Sequence, residues 1–265
     1  MEWTGDHPIF TKSIRRIREL LAAQAAEDPV LSSRLAGLSP LERDVLERCI
    51  HSSGDVSIAA DLRFSPADRF LDTGAAAAGT GAWGAIDPAA TAVNATSGPD
   101  AGLGACGRGL AALRAGAPIL TDTAMAAAAV APMARRTLST AVHNLLDWAP
   151  AQAPEGSTRS AAAVASAWQE LTVSGASPVV LIGSAPTALE RLLDLVATGA
   201  PPPSLVIGMP VGFVGVAESK RRLAQSGLDH IRLEGSRGGA GLVAAACNAL
   251  LRAGGLAAEE RPSPF

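Results

Sequence analysis

Of the four histidines in the chain, His51 stands where an imidazole could move a proton. It lies in ERCIHSSGD, at the end of a helix that the apolar spacing predicts over 40–52, directly before a Ser-Ser-Gly turn. Free carbonyls at a helix C-terminus carry partial negative charge and favour the charged imidazole. His51 is therefore a candidate proton donor; a simple helix-capping histidine is the competing reading, and both stay open at this point. Arg48 precedes it by one helical turn, on the same face. Arg159 opens a predicted helix after Thr158, where backbone N–H groups and a guanidinium can share an anion. Arg237 occupies a similar place in the turn SRGGAG, and Lys220 stands beside Glu218 and Ser219. Any one of these cations reads as solvated surface charge. Several on one rim would form a basic basin on a chain of net charge −3, a basin suited to a polyanionic small molecule. Of the other histidines, His143 reads as packed within a strand, and His7 and His230 as terminal or edge positions.

Other chemistries find little support. The chain has no HxH or HxxxH pair, and Cys49, Cys106 and Cys247 are far apart, so no metal site and no disulfide framework is expected. The thiols read as reduced, in a cytoplasmic protein. There is no GxSxG, no P-loop and no paired-carboxylate arrangement. The segment GTGAWG (79–84) is formally a GxGxxG, but no strand precedes it and no helix follows. A nucleotide-dependent oxidoreductase would rest on that segment alone. The net charge gives no general attraction to nucleic acid, and no apolar stretch is long enough for a membrane span.

The elements that would position these side chains follow from hydrophobic patterning. A helix is predicted over 9–27, where Ile9, Phe10, Ile14, Ile17, Leu20 and Leu21 recur at helical spacing. From about residue 116, short apolar runs alternate with helical patterns: APILT, TLSTAVHNLL, PVVLIG, SLVIG and HIRLEG, each followed by a helix. Strand then helix, five times, predicts a three-layer α/β/α domain with a mainly parallel five-stranded sheet, flavodoxin-like. One domain covers 1–265, with residues 73–104, rich in Gly and Ala, read as an insertion. Ligands in such sheets bind outside the carboxyl ends of the strands, where the loop GMPVGFVGVAESK (208–220) is placed. Its glycines, Gly212 among them, predict close backbone approach by a ligand.

Taken together and in order, GAPILTDTAM, TRSAAA, IGSAPTAL, GMPVGFVGVAESK and SRGGAG resemble the precorrin-8X methylmutase family, over about Ile9 to Leu251 except for the insertion. The resemblance implies an isomerase that moves a methyl group from C-11 to C-12 of a tetrapyrrole. Its substrate is precorrin-8X or the cobalt-bearing equivalent, and it needs no redox or metal cofactor. The family's catalytic histidine, in a V-H-x-x-G context, falls on His51 of IHSSG, which shifts the reading from capping residue to general acid. Substrate-binding residues carry over to Ser13, Arg48 and Arg159; Gly212, Lys220 and Arg237 lie on the same rim, with Lys220 expected to reach a substrate carboxylate. A homodimer with pockets near the subunit interface is implied as well. The chain departs from the family in TAMAAAAVAP and in HNLLDWAPAQA, which stands in place of a Leu-x-Asp-Pro-Arg stretch. A corrin carrier without catalysis is the rival reading; it would use the same rim but has no need of a proton donor.

Overall fold

The computed structural model describes residues 8–65, 104–173 and 175–259. His7, GTGAWG and the expected insertion, save for Gly104, lie outside the described residues.

Three helices come first: α1 (Pro8–Glu27), α2 (Pro29–Gly37) and α3 (Pro40–Ser53). The patterning did not separate α2; Asp28 defines its start, its carboxylate accepting from the N–H groups of Val30 and Leu31. Ser39 and Glu42 form a reciprocal capping box at the start of α3, with Pro40 in the first turn. Gly54 ends the helix in the left-handed region, φ 69°, its N–H on the Ile50 carbonyl. These two caps place His51 in the last turn.

The remaining chain alternates: β1 (Leu62–Phe64), α4 (Ala105–Arg114), β2 (Ile119–Thr121), α5 (Ala124–Thr137), β3 (Val142–Asn144), α6 (Arg159–Thr172), β4 (Val179–Ile182), α7 (Pro186–Ala197), β5 (Leu205–Gly208), α8 (Val216–Gln225), β6 (His230–Leu233) and α9 (Ala240–Glu259). The sheet runs β1-β6-β5-β4-β2-β3. The five expected strands are all present and mutually parallel, and their order, 2-1-3-4-5 when they are counted alone, is the flavodoxin-like one. The expectation of five strands is corrected to six. Leu62–Phe64 adds an antiparallel edge on β6, pairing Leu62 with Leu233 and Phe64 with Ile231. His230 is corrected too: it is buried in β6, between β5 and β1, its Nδ1 2.8 Å from the Leu228 carbonyl oxygen.

Strand periodicity divides the core into two layers. Val179 and Leu181 belong to the core layer shared with α1, α2, α3, α4, α5 and α9, whereas Val180 and Ile182 belong to the layer of α6, α7 and α8. Each such side chain, fully buried, contributes about 1.5–3 kcal/mol. Among the described residues, no helix is long and apolar enough to cross a membrane.

Candidate active site

His51 belongs to a small cluster built by two antiparallel helices. Its Nδ1 lies 2.8 Å from Ser13 Oγ on α1. Farther along the same pair, Arg18 grips the buried Glu47 with two nitrogens, at 2.7 and 2.8 Å. A forked pair on a carboxylate fixes both distance and rotation, so this contact sets the register that brings Ser13 to His51. Phe10, one turn before Ser13, meets the imidazole edge-on at 4.9 Å between centroids. The Arg48 guanidinium sits over the same Phe10 ring, 4.6 Å from its centroid, with Nε 3.1 Å from the Asp44 carboxylate. Ser13, Arg48 and His51, separate in the sequence, are thus brought together. Phe10 was not singled out by the sequence. Its spacing read only as part of an apolar stripe.

The end of α3 rests on the start of α9. Ser52 Oγ donates to the Gly241 carbonyl at 3.4 Å, and Cys49 Sγ faces the Leu242 carbonyl. Since α9 leaves the carboxyl end of β6, His51 stands at the carboxyl rim of the sheet, where an α/β fold holds its ligands. His51 itself is exposed.

Arg237 and Lys220 lie in the support of that rim. The Arg237 guanidinium bonds to Asp55 at 2.6 Å, to Ser57 at 2.6 Å and to Asp61, tying the β6–α9 loop to the chain just past α3. The Ser57 hydroxyl, and after it Arg237, hold the Asp55 carboxyl below its usual range. Lys220 differs from expectation. It is 2% exposed, and its Nζ donates to the carbonyls of Gly235 (2.9 Å) and Arg237 (2.5 Å). Burial, then the neighbouring Arg237 charge, brings its pKa down to about 8. The reading of Lys220 as a carboxylate hook is corrected to that of a buried loop anchor, because its ammonium is buried and donates to two carbonyls inside the fold.

The glycines of the rim have a related use. A Cβ on Gly238 would stand 2.0 Å from the Met209 carbonyl oxygen, and one on Gly183 would stand 2.8 Å from the Ala240 nitrogen. What comes so close is the backbone of the next loop: Val211 N–H donates to Gly183 O, Gly239 N–H to Met209 O, and Gly212 N–H to Ser236 O. Gly212 is half-buried with φ 139°, beside Val211, Phe213 and Val214, all exposed. Arg159 belongs to the other layer. It is exposed at the start of α6, its Nε on the Pro150 carbonyl at 2.8 Å, and it does not join the His51 cluster.

Among the described residues, no group of three or more His, Cys, Asp or Glu side chains is placed to hold a metal ion. The polar groups that do converge at the rim, an imidazole on a hydroxyl beside a stacked guanidinium, suit proton transfer to an anionic ligand.

The family model described as Precorrin-8X methylmutase matches residues 8–96 and 100–253. A Precorrin-8X methylmutase of Pseudomonas aeruginosa is 40% identical over 225 residues, covering 82% of this chain and 87% of the relative. A Cobalt-precorrin-8 methylmutase of Synechocystis is 30% identical over 246 residues, covering 93% and 95%. Among solved structures, a precorrin-8X methyl mutase from Thermus thermophilus superposes with a TM-score of 0.60 at 34% identity, over 89% of this chain and 98% of that one.

Proposed function

The chain belongs to the precorrin-8X methylmutase family, and from that premise we propose that His51 is the general acid of its methyl shift. The protein is an intramolecular methyl transferase of cobalamin biosynthesis, moving a methyl group from C-11 to C-12 of the tetrapyrrole. The reaction is an isomerisation, so nothing is gained or lost overall. A proton lent to the macrocycle draws electron density through the conjugated system, eases migration and returns afterwards. The observation that carries the reading is the Ser13–His51 contact at the end of α3. With Nδ1 engaged by the Ser13 hydroxyl, Nε2 is left to present a proton, and the hydroxyl accepts from Nδ1–H once the ring is charged. A positioned acid of this kind is worth about 10²–10⁴-fold in rate.

Arg48, Arg159 and Gly212 are proposed as contacts to the substrate's periphery. Phe10 orients both Arg48 and His51. Arg237 and Lys220 act behind them, holding the loops. Homodimerisation is proposed on the family likeness and on the exposure of Phe213 (96%) and Val214 (87%), which a second copy would cover. Sedimentation of the wild type and of Phe213→Glu tests this, with a dimer and a monomer expected; a monomeric wild type contradicts it.

The reading as a whole is tested by mixing the purified protein with precorrin-8X, and separately with its cobalt-bearing equivalent, and following the visible spectrum. Migration alters the conjugation and so the absorbance. Tight binding of both without spectral conversion would favour a carrier.

A further inference from the structure

Asp122 follows β2 at the crevice where the strand order reverses between β2 and β4. It is 1% exposed. One carboxylate oxygen, Oδ2, accepts from three consecutive backbone N–H groups: Gly183 at 3.0 Å, Ser184 at 2.6 Å and Ala185 at 2.8 Å. Those groups open α7, whose own N-cap residue, Ala185, offers no side-chain acceptor. The other oxygen, Oδ1, is buried without a hydrogen-bond partner among the described residues. Leaving a buried oxygen unpaired is unfavourable and burial raises the pKa of this carboxyl, while the three N–H bonds to Oδ2 favour the charged form. In open α/β sheets this crevice is where ligands bind, and the helix N-terminus beside it prefers an anion. Here the anion belongs to the protein.

We propose that Asp122 is a positioning residue for the methyl shift, a built-in anion that fixes residues 183–185 and, through them, the support beneath His51. The contacts are continuous. Gly183 is gripped by Asp122 and touches the backbone at Gly239 and Ala240, closer than a Cβ would permit. From Ala240 α9 begins, and the Gly241 carbonyl receives the Ser52 hydroxyl, next in sequence to His51. The Gly183 carbonyl also receives Val211 N–H, so the same grip steadies the loop after β5. This inference rests on the reading of His51 as the acid.

Asp122→Ala leaves a carboxylate-sized gap facing three N–H donors, which sodium formate can fill. The melting temperature of the variant is expected to rise saturably with formate, against sodium chloride of equal ionic strength, while the wild type does not respond. Measured where the variant is fully folded, kcat falls about 10²-fold with KM changed less, and formate restores kcat over the same concentration range. Asp122→Asn, which keeps the shape and loses the charge, replaces it if the alanine variant does not fold, and the same loss in kcat is expected. Either folded variant with kcat within about threefold of wild type overturns the proposal. So does a formate-independent melting temperature of Asp122→Ala, or a formate-dependent one without recovery of kcat. Melting is read without corrin, so this outcome is distinct from failure of the methylmutase reading, which would be a wild type that binds and never converts.

Discussion

Lys220→Met removes an ammonium while keeping an unbranched stem that fills similar space. In the wild type that ammonium is 2% exposed and held by the carbonyls of Gly235 and Arg237. Desolvation first, and the Arg237 charge second, lower its pKa from 10.5 to about 8. At about 1.36 kcal/mol per pH unit, that difference amounts to about 3 kcal/mol. Between about pH 8 and 10.5 the unfolded chain keeps the proton and the folded chain releases it. Wild-type stability gains this contribution as pH rises through the window, and loses it as pH falls back through about 8. The methionine variant has no such group, while the other titrating groups are common to both proteins and cancel in the difference. Urea unfolding of both from pH 7 to 10.5 is expected to show the wild type's advantage growing by about 3 kcal/mol across the range. A difference that stays flat with pH would mean that the ammonium is solvated, as a hook reaching outward for a substrate would be. The loop-anchor reading of Lys220 would then be wrong.

Burial pushes the Cys49 and Cys247 thiols up to about 12 and raises Cys106 as well. Above about pH 9 the unfolded chain releases these protons and the folded chain keeps them, so stability falls by about 1.36 kcal/mol per pH unit for each thiol. Replacing all three by Ala is expected to flatten this alkaline limb in urea melts at pH 9–10.5, in a chain that has no Tyr to confuse it. Arg18→Ala strands the Glu47 carboxylate, which is 1% exposed, and is expected to cost about 2 kcal/mol in chemical denaturation, most of it recovered in Arg18→Met/Glu47→Leu. Phe10→Leu removes the face on which Arg48 sits and the edge contact to His51; a fall of about fivefold in kcat/KM is expected, with Phe10→Tyr near wild type.

The sheet was legible in the sequence because its strands are buried on both faces: VVLI of β4 and LVIG of β5 are apolar throughout and bounded by turn residues. Leu62–Phe64 was not, since three residues show no period and the strand exists through its partner Leu233–Ile231. His51 was readable from its place at a helix end, and Ser13 only through the family likeness, because the antiparallel register of α1 on α3 is set by Arg18 and Glu47, a pair 29 residues apart that local spacing does not link. At the rim, Gly183 and Gly238 make room for the backbone of neighbouring loops, a long-range contact that local spacing cannot encode. Lys220 failed for the same reason: ESK gives no sign that the loop after β6 folds over it. Asp122 had one available signal, a carboxylate directly after a buried strand at the ligand-facing rim.

The central claim is that the His51 imidazole supplies the proton for methyl migration. Its most direct measurement is single-turnover conversion of precorrin-8X by wild type and by His51→Ala, followed through the visible spectrum, with binding measured independently by fluorescence quenching. The variant is expected to bind the substrate and to lose about 10²-fold or more in the rate of spectral conversion. Conversion by His51→Ala at the wild-type rate would remove the imidazole from the chemistry and contradict the mechanism.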